Sequence, residues 1–334
     1  MSRQRFLAAI TGHELSGQAV FGTGTSIACQ ELMELTGGRF PEAHLDAERM
    51  VALAMAGHTE LGFEVVMPLF SVCHEAAAMG CNVNWGGPLA MPSSGPPIFK
   101  EEGDIRIPAD LLKRPGCTVP LAAISLLKKR LGDDAAVCGK VFGGWTQAYH
   151  YFGVENFLIG TLDDPDKTRR ILDRLSAVTL QFAQAQIEAG ADCLLLADHA
   201  TRDLCSPRAY REFLLPLHRR LAAEISVPLI LHICGNTADR VRMVAETGLS
   251  CFHWDTKSGA PSEFRVLAGP QLALMGGINN YTLLRGTPQE VAAQRDAAIA
   301  ARIDVIGPEC AIPLATPLRN LKVIAQTPAV RSDL

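Results

Sequence analysis

Three side chains in the second half of the sequence have the types and spacing of a metal site. His232 and Cys234 stand two residues apart at the end of one apolar run, and Cys310 follows another. Residues i and i+2 of an extended segment point to the same side, so His232 and Cys234 converge. Two thiolates and one imidazole suit Zn²⁺ and leave a fourth coordination position for substrate. The alternative is that all three are ordinary core residues, because an H-x-C spacing also arises by chance.

The elements that must position these side chains are short runs that are mostly continuously apolar. Strands buried on both faces of a parallel sheet have this pattern. Eight such runs are bounded by Gly, Pro or polar turn residues and are predicted as strands: 18–22, 63–67, 136–142, 192–197, 229–233, 250–254, 272–276 and 304–307. His232 then lies on the fifth strand and Cys310 just beyond the eighth, at one rim of a closed barrel.

Amphipathic patterns between these runs predict helices. They cover residues 47–61, 120–131, 166–189, 207–224, 238–247, 288–299 and 317–325. Alternating strands and helices predict one α/β domain over residues 1–334, a (β/α)8 TIM barrel with an N-terminal helical extension. The Pro- and Gly-rich residues 71–118 predict a long insertion after the second strand, which we interpret as an irregular lid or partner-facing loop. A doubly wound open sheet is the structural alternative.

Polar and aromatic residues follow several of the predicted strands, where a barrel places its functional side chains. Asp198 and His199 end the fourth strand, where a carboxylate can orient a ligand and an imidazole can move a proton. Asn236 and Asn279 are candidate substrate contacts. Structural caps and turns explain Asp198 and Asn279 equally well.

The segment after the third predicted strand is rich in aromatic residues. We expect Trp145, Tyr149 and His150 to hang over the barrel mouth and bind substrate. An aromatic lining suits a flat apolar ligand. The alternative is that these rings pack against the next helix.

Composition excludes several classes of protein. Hydrophobic residues make up 48% and charged residues 20% of the 334 residues, which is typical of a folded globular chain. The formal net charge of −4 leaves no electrostatic basis for binding nucleic acid or an anionic membrane. Without an apolar run of 18 residues or a signal-peptide pattern, we expect a cytoplasmic protein with reduced cysteines.

The amino-acid sequence around the three candidate ligands resembles that of a known family. Residues 231–237 and 307–322 closely resemble the zinc-binding H-x-C…C signature of corrinoid-dependent methyltransferases in the uroporphyrinogen decarboxylase superfamily. The resemblance extends along nearly the whole chain, including residues 5–10, 40–44, 188–192 and 206–208. It implies a single barrel with zinc at His232, Cys234 and Cys310.

Two absences narrow the function within that superfamily. The decarboxylases bind a tetrapyrrole through arginines after the first strand, whereas residues 21–30 of this chain contain no cationic side chain. This absence argues against porphyrinogen decarboxylation. The D-x-H-x-x-G motif of corrinoid carrier proteins is missing as well. The resemblance therefore implies that cobalamin is supplied by a partner corrinoid protein or arrives free. A zinc protein without catalytic activity is the alternative outside the enzymes.

Two methyl transfers use this scaffold. The aromatic segment resembles O-demethylating and halomethane enzymes, which favours transfer from a small methyl donor, such as a methoxy aromatic, to cob(I)alamin. The alternative is a methylcobamide:thiol reaction of the coenzyme M type. A thiol with a sulfonate needs a nearby cation, and Arg202 and Lys257 are the obvious candidates at the rim.

Two acidic residues are assigned roles by the same resemblance. Asp255 stands where coenzyme M enzymes carry an acidic pair, so we expect it to contact substrate or hold a zinc ligand in place. Glu309 replaces a small residue common in those enzymes and is a candidate fourth ligand or substrate acid.

Overall fold

A computed structural model describes residues 2–13 and 19–326 of the chain. The strands of these described residues are β1 Val65–Val66, β2 Val83–Asn84, β3 Ser93–Ser94, β4 Ala136–Phe142, β5 Cys193–Ala197, β6 Leu229–His232, β7 Cys251–Trp254, β8 Ala273–Ile278 and β9 Val305–Pro308. Seven of them form a parallel sheet in the order β1-β4-β5-β6-β7-β8-β9, and β2 and β3 form a separate antiparallel hairpin.

A segment near the N-terminus closes this sheet into a barrel. Phe21 forms a parallel bridge with Ile306 of β9, where Gly22 N–H donates to Ile306 O at 3.0 Å. On the other side, Glu64 N–H donates to Phe21 O at 2.9 Å, just before β1. The predicted (β/α)8 barrel is therefore confirmed, with the first predicted strand reduced to a bridge. The start of that predicted strand, Gln18, lies outside the described residues.

Helices surround the barrel and lie close to the predicted positions. The α-helices are Ser2–Ile10, Gln30–Thr36, Glu42–Leu45, Ala47–Thr59, His74–Met79, Pro115–Leu131, Gly144–Phe152, Val154–Asp163, Pro165–Glu188, Pro207–Ala209, Leu215–Glu224, Val241–Ala245, Pro261–Ala268, Asn280–Arg285, Pro288–Ala300 and Leu318–Lys322. A π-helical turn, Tyr210–Leu214, joins two of them. Within the described residues, none of these helices has the length and apolar character needed to cross a bilayer.

The predicted insertion is more ordered than its sequence suggested. Residues 71–118 contain a helix, His74–Met79, the β2–β3 hairpin and two short 3-10 helices, Glu102–Asp104 and Leu111–Lys113. The backbone N–H groups of Ile98 and Phe99 both donate to Tyr151 O, so the insertion is fastened to the helix after β4. Pro and Gly mark tight turns here rather than a loose loop.

Two close contacts of Gly24 show which strand side chains point into the barrel interior. A Cβ on Gly24 would lie 2.8 Å from Leu195 Cδ1, and Gly24 N–H faces Met275 Sδ at 3.3 Å. Leu195 of β5 and Met275 of β8 therefore point inward. Side chains alternate along a strand, so residues in register with these two also face the interior. This rule assigns an inward direction to His253 of β7, which pairs with Met275.

Candidate metal centre

His232, Cys234 and Cys310 meet at the carboxyl end of the barrel. His232 Nε2 lies 3.0 Å from Cys234 Sγ and 3.4 Å from Cys310 Sγ, and the two sulfur atoms are 3.2 Å apart. His232 is buried at the end of β6, while both cysteines are half-buried on the loops after β6 and β9. The fold thus brings together all three predicted metal ligands.

A hydrogen bond to the backbone fixes which nitrogen of His232 faces the thiols. Nδ1 lies 3.2 Å from His253 O, an oxygen that can only accept, so Nδ1 carries the proton and Nε2 presents a lone pair. The His253 ring lies 4.5 Å from that of His232, and its Nε2 donates to Pro308 O at 2.8 Å. Sequence reasoning missed His253, although an inward His at the end of an apolar strand was a usable signal.

Asp255 holds the loop that carries Cys234. Its carboxylate accepts from Gly235 N–H at 2.9 Å and from Lys257 N–H at 2.9 Å. Gly235, the residue after Cys234, is therefore fixed by a buried carboxylate on the neighbouring loop. The role of Asp255 in holding a metal ligand in place stays a prediction.

Glu309 is occupied by bonds within the protein. Its carboxylate accepts from Asn280 N–H at 2.8 Å, from Thr256 N–H at 2.9 Å, from the Thr256 hydroxyl, and from Asn279 Nδ2 at 3.1 Å. Among the described residues, the group of side chains able to hold a metal does not include Glu309. Both oxygens are committed to the loops after β7 and β8, so the structure does not support Glu309 as a fourth ligand.

The two thiols share their ionisation. A hydrogen bond from Cys234, followed by the influence of His232, lowers the pKa of Cys310, while the same contact with Cys310 and burial raise the pKa of Cys234. The first proton leaves the pair more readily than the second. Thiolates are the metal-binding form of cysteine, so this polarisation prepares the cluster for a cation.

The donor set fits zinc. Bonds of about 2.0 Å to nitrogen and about 2.3 Å to sulfur in a tetrahedron separate donor atoms by about 3.5 Å. All three donor atoms lie within 4.8 Å of one another. Three protein ligands from two loops and one strand end leave one position open, as in catalytic zinc sites.

Lys140 is a further charged group at this site. It lies on β4 in register with the inward-pointing Leu195, so its side chain enters the barrel interior. Burial lowers the pKa of its ammonium, and the nearby Cys310 and Cys234 offset part of this lowering. Sequence reasoning missed it, although a lysine inside the apolar strand Ala136–Phe142 was the signal. Arg202 and Lys257, the expected rim cations, are exposed instead.

Comparison with known proteins gives the family of this chain. Residues 1–329 match the family model for uroporphyrinogen decarboxylase (URO-D). The chain belongs to the URO-D family. The predicted family is thereby confirmed.

Its relatives in this family include methyltransferases. A methylated-thiol--coenzyme M methyltransferase of Methanosarcina mazei is 34% identical over 310 residues, covering 91% of this chain and 83% of the relative. The methylcobamide:CoM methyltransferase MtaA of Methanosarcina barkeri is 31% identical over 325 residues, 96% of both chains. A solved methyltransferase structure from Methanosarcina mazei has a TM-score of 0.92 at 31% identity, covering 97% of this chain and 96% of that one.

In this URO-D family chain, Asp198 and His199 lie on the rim beside the metal centre. Asp198 is fully buried and accepts from Thr146 N–H at 2.8 Å and from His218 Nε2 at 3.1 Å. His199 N–H donates to the Thr146 hydroxyl at 2.8 Å. Burial lowers the pKa of His199, and nearby His232 lowers it further. Asp198 therefore ties elements together, while His199 is a neutral imidazole next to the cluster.

Two of the aromatic rings expected at the barrel mouth, Trp145 and Tyr149, pack against neighbouring rings. Trp145 is fully buried, with its ring 5.0 Å from Phe157 and 6.2 Å from Phe213. Its Nε1 donates to the hydroxyl of Tyr149, which is 9% exposed. Both rings pack between helices, because contact between the helices removes their apolar surface from water. His150 is half-buried.

His150 and the two asparagines make contacts within the protein. Ser94 Oγ of the β2–β3 hairpin lies 2.7 Å from His150 Nδ1, and burial lowers the pKa of His150 to about 4. Asn236 accepts from Ala238 N–H at 3.1 Å. Asn279 caps the helix Asn280–Arg285, so it forms a turn. These contacts do not single out Asn236 or Asn279 as substrate contacts.

Proposed function

We propose that this chain is a zinc-dependent methyltransferase that moves a methyl group from a methylated corrinoid to a thiol. The observation that carries the proposal is the cluster of His232, Cys234 and Cys310 at the catalytic end of the barrel. Support comes from relatives aligned over most of their length, which are methylcobamide:CoM and methylated-thiol--coenzyme M methyltransferases. Methyl transfer to a thiol needs a thiolate, and an open zinc site supplies the means to form it.

Zinc, when bound, supplies Lewis acidity that lowers the pKa of a thiol at the open position. His232 Nε2, Cys234 Sγ and Cys310 Sγ would hold it. His253 O fixes the tautomer of His232, and Asp255 fixes the loop after Cys234 through Gly235 N–H. These partners keep the donor atoms in place while substrate enters and leaves.

His199 is the group placed to take the proton that the thiol loses. It is half-buried on the rim and interacts with His232 and Cys310. Burial keeps its imidazole neutral, which is the form that accepts a proton. The buried Asp198 positions His199 through the Thr146 hydroxyl, which accepts from the His199 backbone.

The corrinoid is supplied from outside the chain. A separate corrinoid carrier protein is the proposed partner, because the D-x-H-x-x-G motif of carriers does not occur in this sequence. The methyl group would reach the thiolate from the mouth of the barrel, where the loops after the strands lie.

Demethylation of an ether or similar donor is the less supported direction. That direction was predicted from an aromatic lining at the mouth of the barrel. Trp145 and Tyr149 are packed between helices instead. The interior cation Lys140 suits an anionic thiol better than a neutral aryl ether. Methyl donors and cob(I)alamin therefore serve as the contrasting assay.

Loss of methylcobalamin absorbance on addition of 2-mercaptoethanol or 2-mercaptoethanesulfonate, under anaerobic conditions, tests the proposal. We expect thiol-dependent formation of cob(I)alamin that is lost in Cys310→Ala and kept in Cys117→Ala, a buried cysteine in the helix Pro115–Leu131. Methylation of cob(I)alamin by methoxy aromatics without any thiol methylation would reverse the direction. Bound zinc without turnover in either assay would leave a non-catalytic zinc protein.

A further inference from the structure

Cys234 and Cys310 are the cysteines of this chain that solvent can reach. All ten cysteines lie within the described residues, and eight of them are buried, whereas these two are half-buried at the carboxyl end of the barrel. Reactive cysteines are partially exposed, while buried ones act as small apolar side chains. An oxidant from solution therefore meets these two sulfur atoms before those of the other cysteines.

The two sulfur atoms are in direct contact. Cys234 Sγ and Cys310 Sγ lie 3.2 Å apart, although the residues are 76 positions apart in the sequence. A disulfide bond is about 2.05 Å long, so the two atoms need to approach each other by about 1 Å. Small rotations of the two side chains supply a movement of this size without a rearrangement of the barrel.

Hydrogen bonds next to each cysteine hold the two loops in place. Gly235, which follows Cys234, donates its N–H to the Asp255 carboxylate at 2.9 Å. After the other cysteine, the carbonyl oxygen of Ala311 accepts from Asn280 Nδ2 at 2.8 Å. The backbone is thus fixed beside both sulfur atoms, so their short separation is a property of the loops.

Another pair of neighbouring cysteines differs from this one in access. Cys138 of β4 and Cys193 of β5 lie opposite each other in register, and both are fully buried. Cys138 Sγ donates to Gly139 O at 3.2 Å. A reagent in water does not reach these sulfur atoms while the barrel is folded. They therefore serve as an internal control for any reaction at Cys234 and Cys310.

We propose that Cys234 and Cys310 form a reversible disulfide in the metal-free protein, and that this bond and zinc exclude each other. The oxidant is a small organic disulfide. One cysteine thiolate attacks it and releases a first reagent thiolate, and the second cysteine thiolate then attacks the mixed disulfide and releases the other. Two electrons pass from the cysteines to the reagent, and the two cysteine protons end on the released thiols.

The disulfide would remove two of the three donors of the proposed metal centre. Its sulfur atoms are bonded to each other and carry no charge, so His232 alone would remain to hold a cation. Zinc in turn occupies both thiolates, which are then not free to attack a disulfide. The oxidation state of the pair therefore controls metal loading, as in the redox-sensing disulfides of reducing compartments.

Exchange with 2-hydroxyethyl disulfide tests the proposal on the whole chain. One sample is stripped of metal by a chelator under reducing conditions and freed of reductant, and a second is loaded with zinc. In the metal-free sample, we expect the thiols titrated in denaturant to fall from ten to eight, with Cys234 and Cys310 joined in a non-reduced digest. The zinc-loaded sample should react at least about tenfold more slowly, because its thiolates are ligands.

Single substitutions separate pairing from access alone. Cys310→Ser should lose the cross-link and carry the thiol of the reagent on Cys234, and Cys234→Ser should show the reverse. Cys117→Ala should form the cross-link as the wild type does, because its sulfur is buried elsewhere. Cys138 and Cys193 should stay reduced in every sample. Circular dichroism checks that each variant is folded.

Zinc binding after oxidation tests the exclusion. The oxidised protein should bind no zinc in competition with a chromogenic chelator, and dithiothreitol should restore both the thiols and the zinc affinity. Mixed disulfides without a bond between the two cysteines, equal rates with and without zinc, or undiminished zinc affinity after oxidation would each overturn the inference. Absence of methyl transfer would instead contradict the proposed function and leave the cross-link and the zinc competition unchanged.

Discussion

At the scale of single residues, the proposed metal centre depends on the positions of the protons on its imidazole and thiol groups. His232 donates through Nδ1 to His253 O, and Cys310 carries the lowered pKa of the thiol pair. An imidazole whose Nδ1–H is held by the backbone presents Nε2 toward two sulfur atoms, so it can bind a metal without rearrangement. In the proposed zinc site we expect each donor to be necessary, because two remaining ligands hold zinc much more weakly than three.

Removing one thiol should therefore remove the metal. We expect about one zinc per chain in the wild type, by analogy with catalytic sites of this donor set. Cys234→Ala or Cys310→Ala should abolish stoichiometric zinc and methyl transfer while the circular dichroism spectrum is retained, since the barrel core holds the strands. Metal analysis after gel filtration provides the measurement, and Cys117→Ala should keep its zinc. Full activity in a metal-free wild type would contradict the prediction.

Asp255 should affect metal affinity without being a ligand. Asp255→Ala frees Gly235 N–H and the loop next to Cys234, so we expect zinc affinity to fall by about 10- to 100-fold. Asp255→Asn keeps one acceptor oxygen and should lose less. Competition with a chromogenic chelator measures both affinities. Unchanged affinity in Asp255→Ala would show that the loop holds its position without the carboxylate.

The sequence predicted the cluster of His232, Cys234 and Cys310 but not all of its surroundings. His232 and Cys234 are two residues apart on a strand end, so a local pattern was sufficient, and Cys310 followed from the strand count. Lys140 and His253 depend on which face of each strand points inward, and this register is set by pairing between distant strands. Trp145 was predicted to lie at the barrel mouth but packs between helices. A helix that follows a strand has one side toward solvent and one toward its neighbours, and composition does not show on which side a given residue lies.

At the scale of elements, Asp198 fastens the helix Gly144–Phe152 to the end of β5. Its carboxylate fills the space beside Gly143, where a Cβ would lie 2.0 Å from Oδ2. Gly143 has φ −70°, which any residue adopts, so the steric contact alone demands glycine. The close approach brings the helix start to the rim where His199 lies.

Substitution of this glycine should displace the carboxylate. Gly143→Ala should lower the free energy of unfolding by about 1–3 kcal/mol, because the backbone or Asp198 must shift. Gly160→Ala is the matched control: no atom lies within 4 Å of its Cβ, and the helix Val154–Asp163 should gain about 0.5–1 kcal/mol. Urea denaturation followed by circular dichroism compares them. Equal midpoints for the two variants would be inconsistent with the contact.

Glu309 joins three loops of the rim. Glu309→Ala would leave the donors of Thr256, Asn279 and Asn280 unsatisfied, so we expect a loss of about 2–4 kcal/mol. Glu309→Gln keeps one carbonyl acceptor and should cost less. Thermal denaturation ranks the two variants against the wild type. If both were as stable as the wild type, the loops would be held by other contacts.

The barrel itself followed from continuously apolar runs, and the exceptions have physical causes. β4 matches its prediction over all residues, Ala136–Phe142, since both its faces are buried. The run at 63–67 became a two-residue strand, Val65–Val66, because few of its backbone groups pair with β4. The insertion was read as irregular since its helix, His74–Met79, is too short for a periodic pattern to show.

At the scale of the whole molecule, the barrel contains imidazoles that folding keeps neutral. Burial lowers the pKa of His44 and of His253 to about 3, and it lowers that of His74 as well. An unfolded chain would protonate all three near the ordinary value of about 6.5. The folded state therefore binds fewer protons than the unfolded state between these values, and stability must fall as the solution becomes acidic.

The contribution of His44 to this acid sensitivity can be isolated. As the pH falls from about 6.5 toward 3, each such histidine removes about 1.4 kcal/mol of unfolding free energy per pH unit. His44→Phe retains a ring beside Phe40 and Trp85 but cannot bind a proton, so its urea midpoint should fall less between pH 7.5 and pH 5. Measurements with a chelator present exclude the effect of zinc loss. His13→Gln, at an exposed histidine, should follow the wild type; if His44→Phe did the same, the buried imidazole would not be a source of the acid sensitivity.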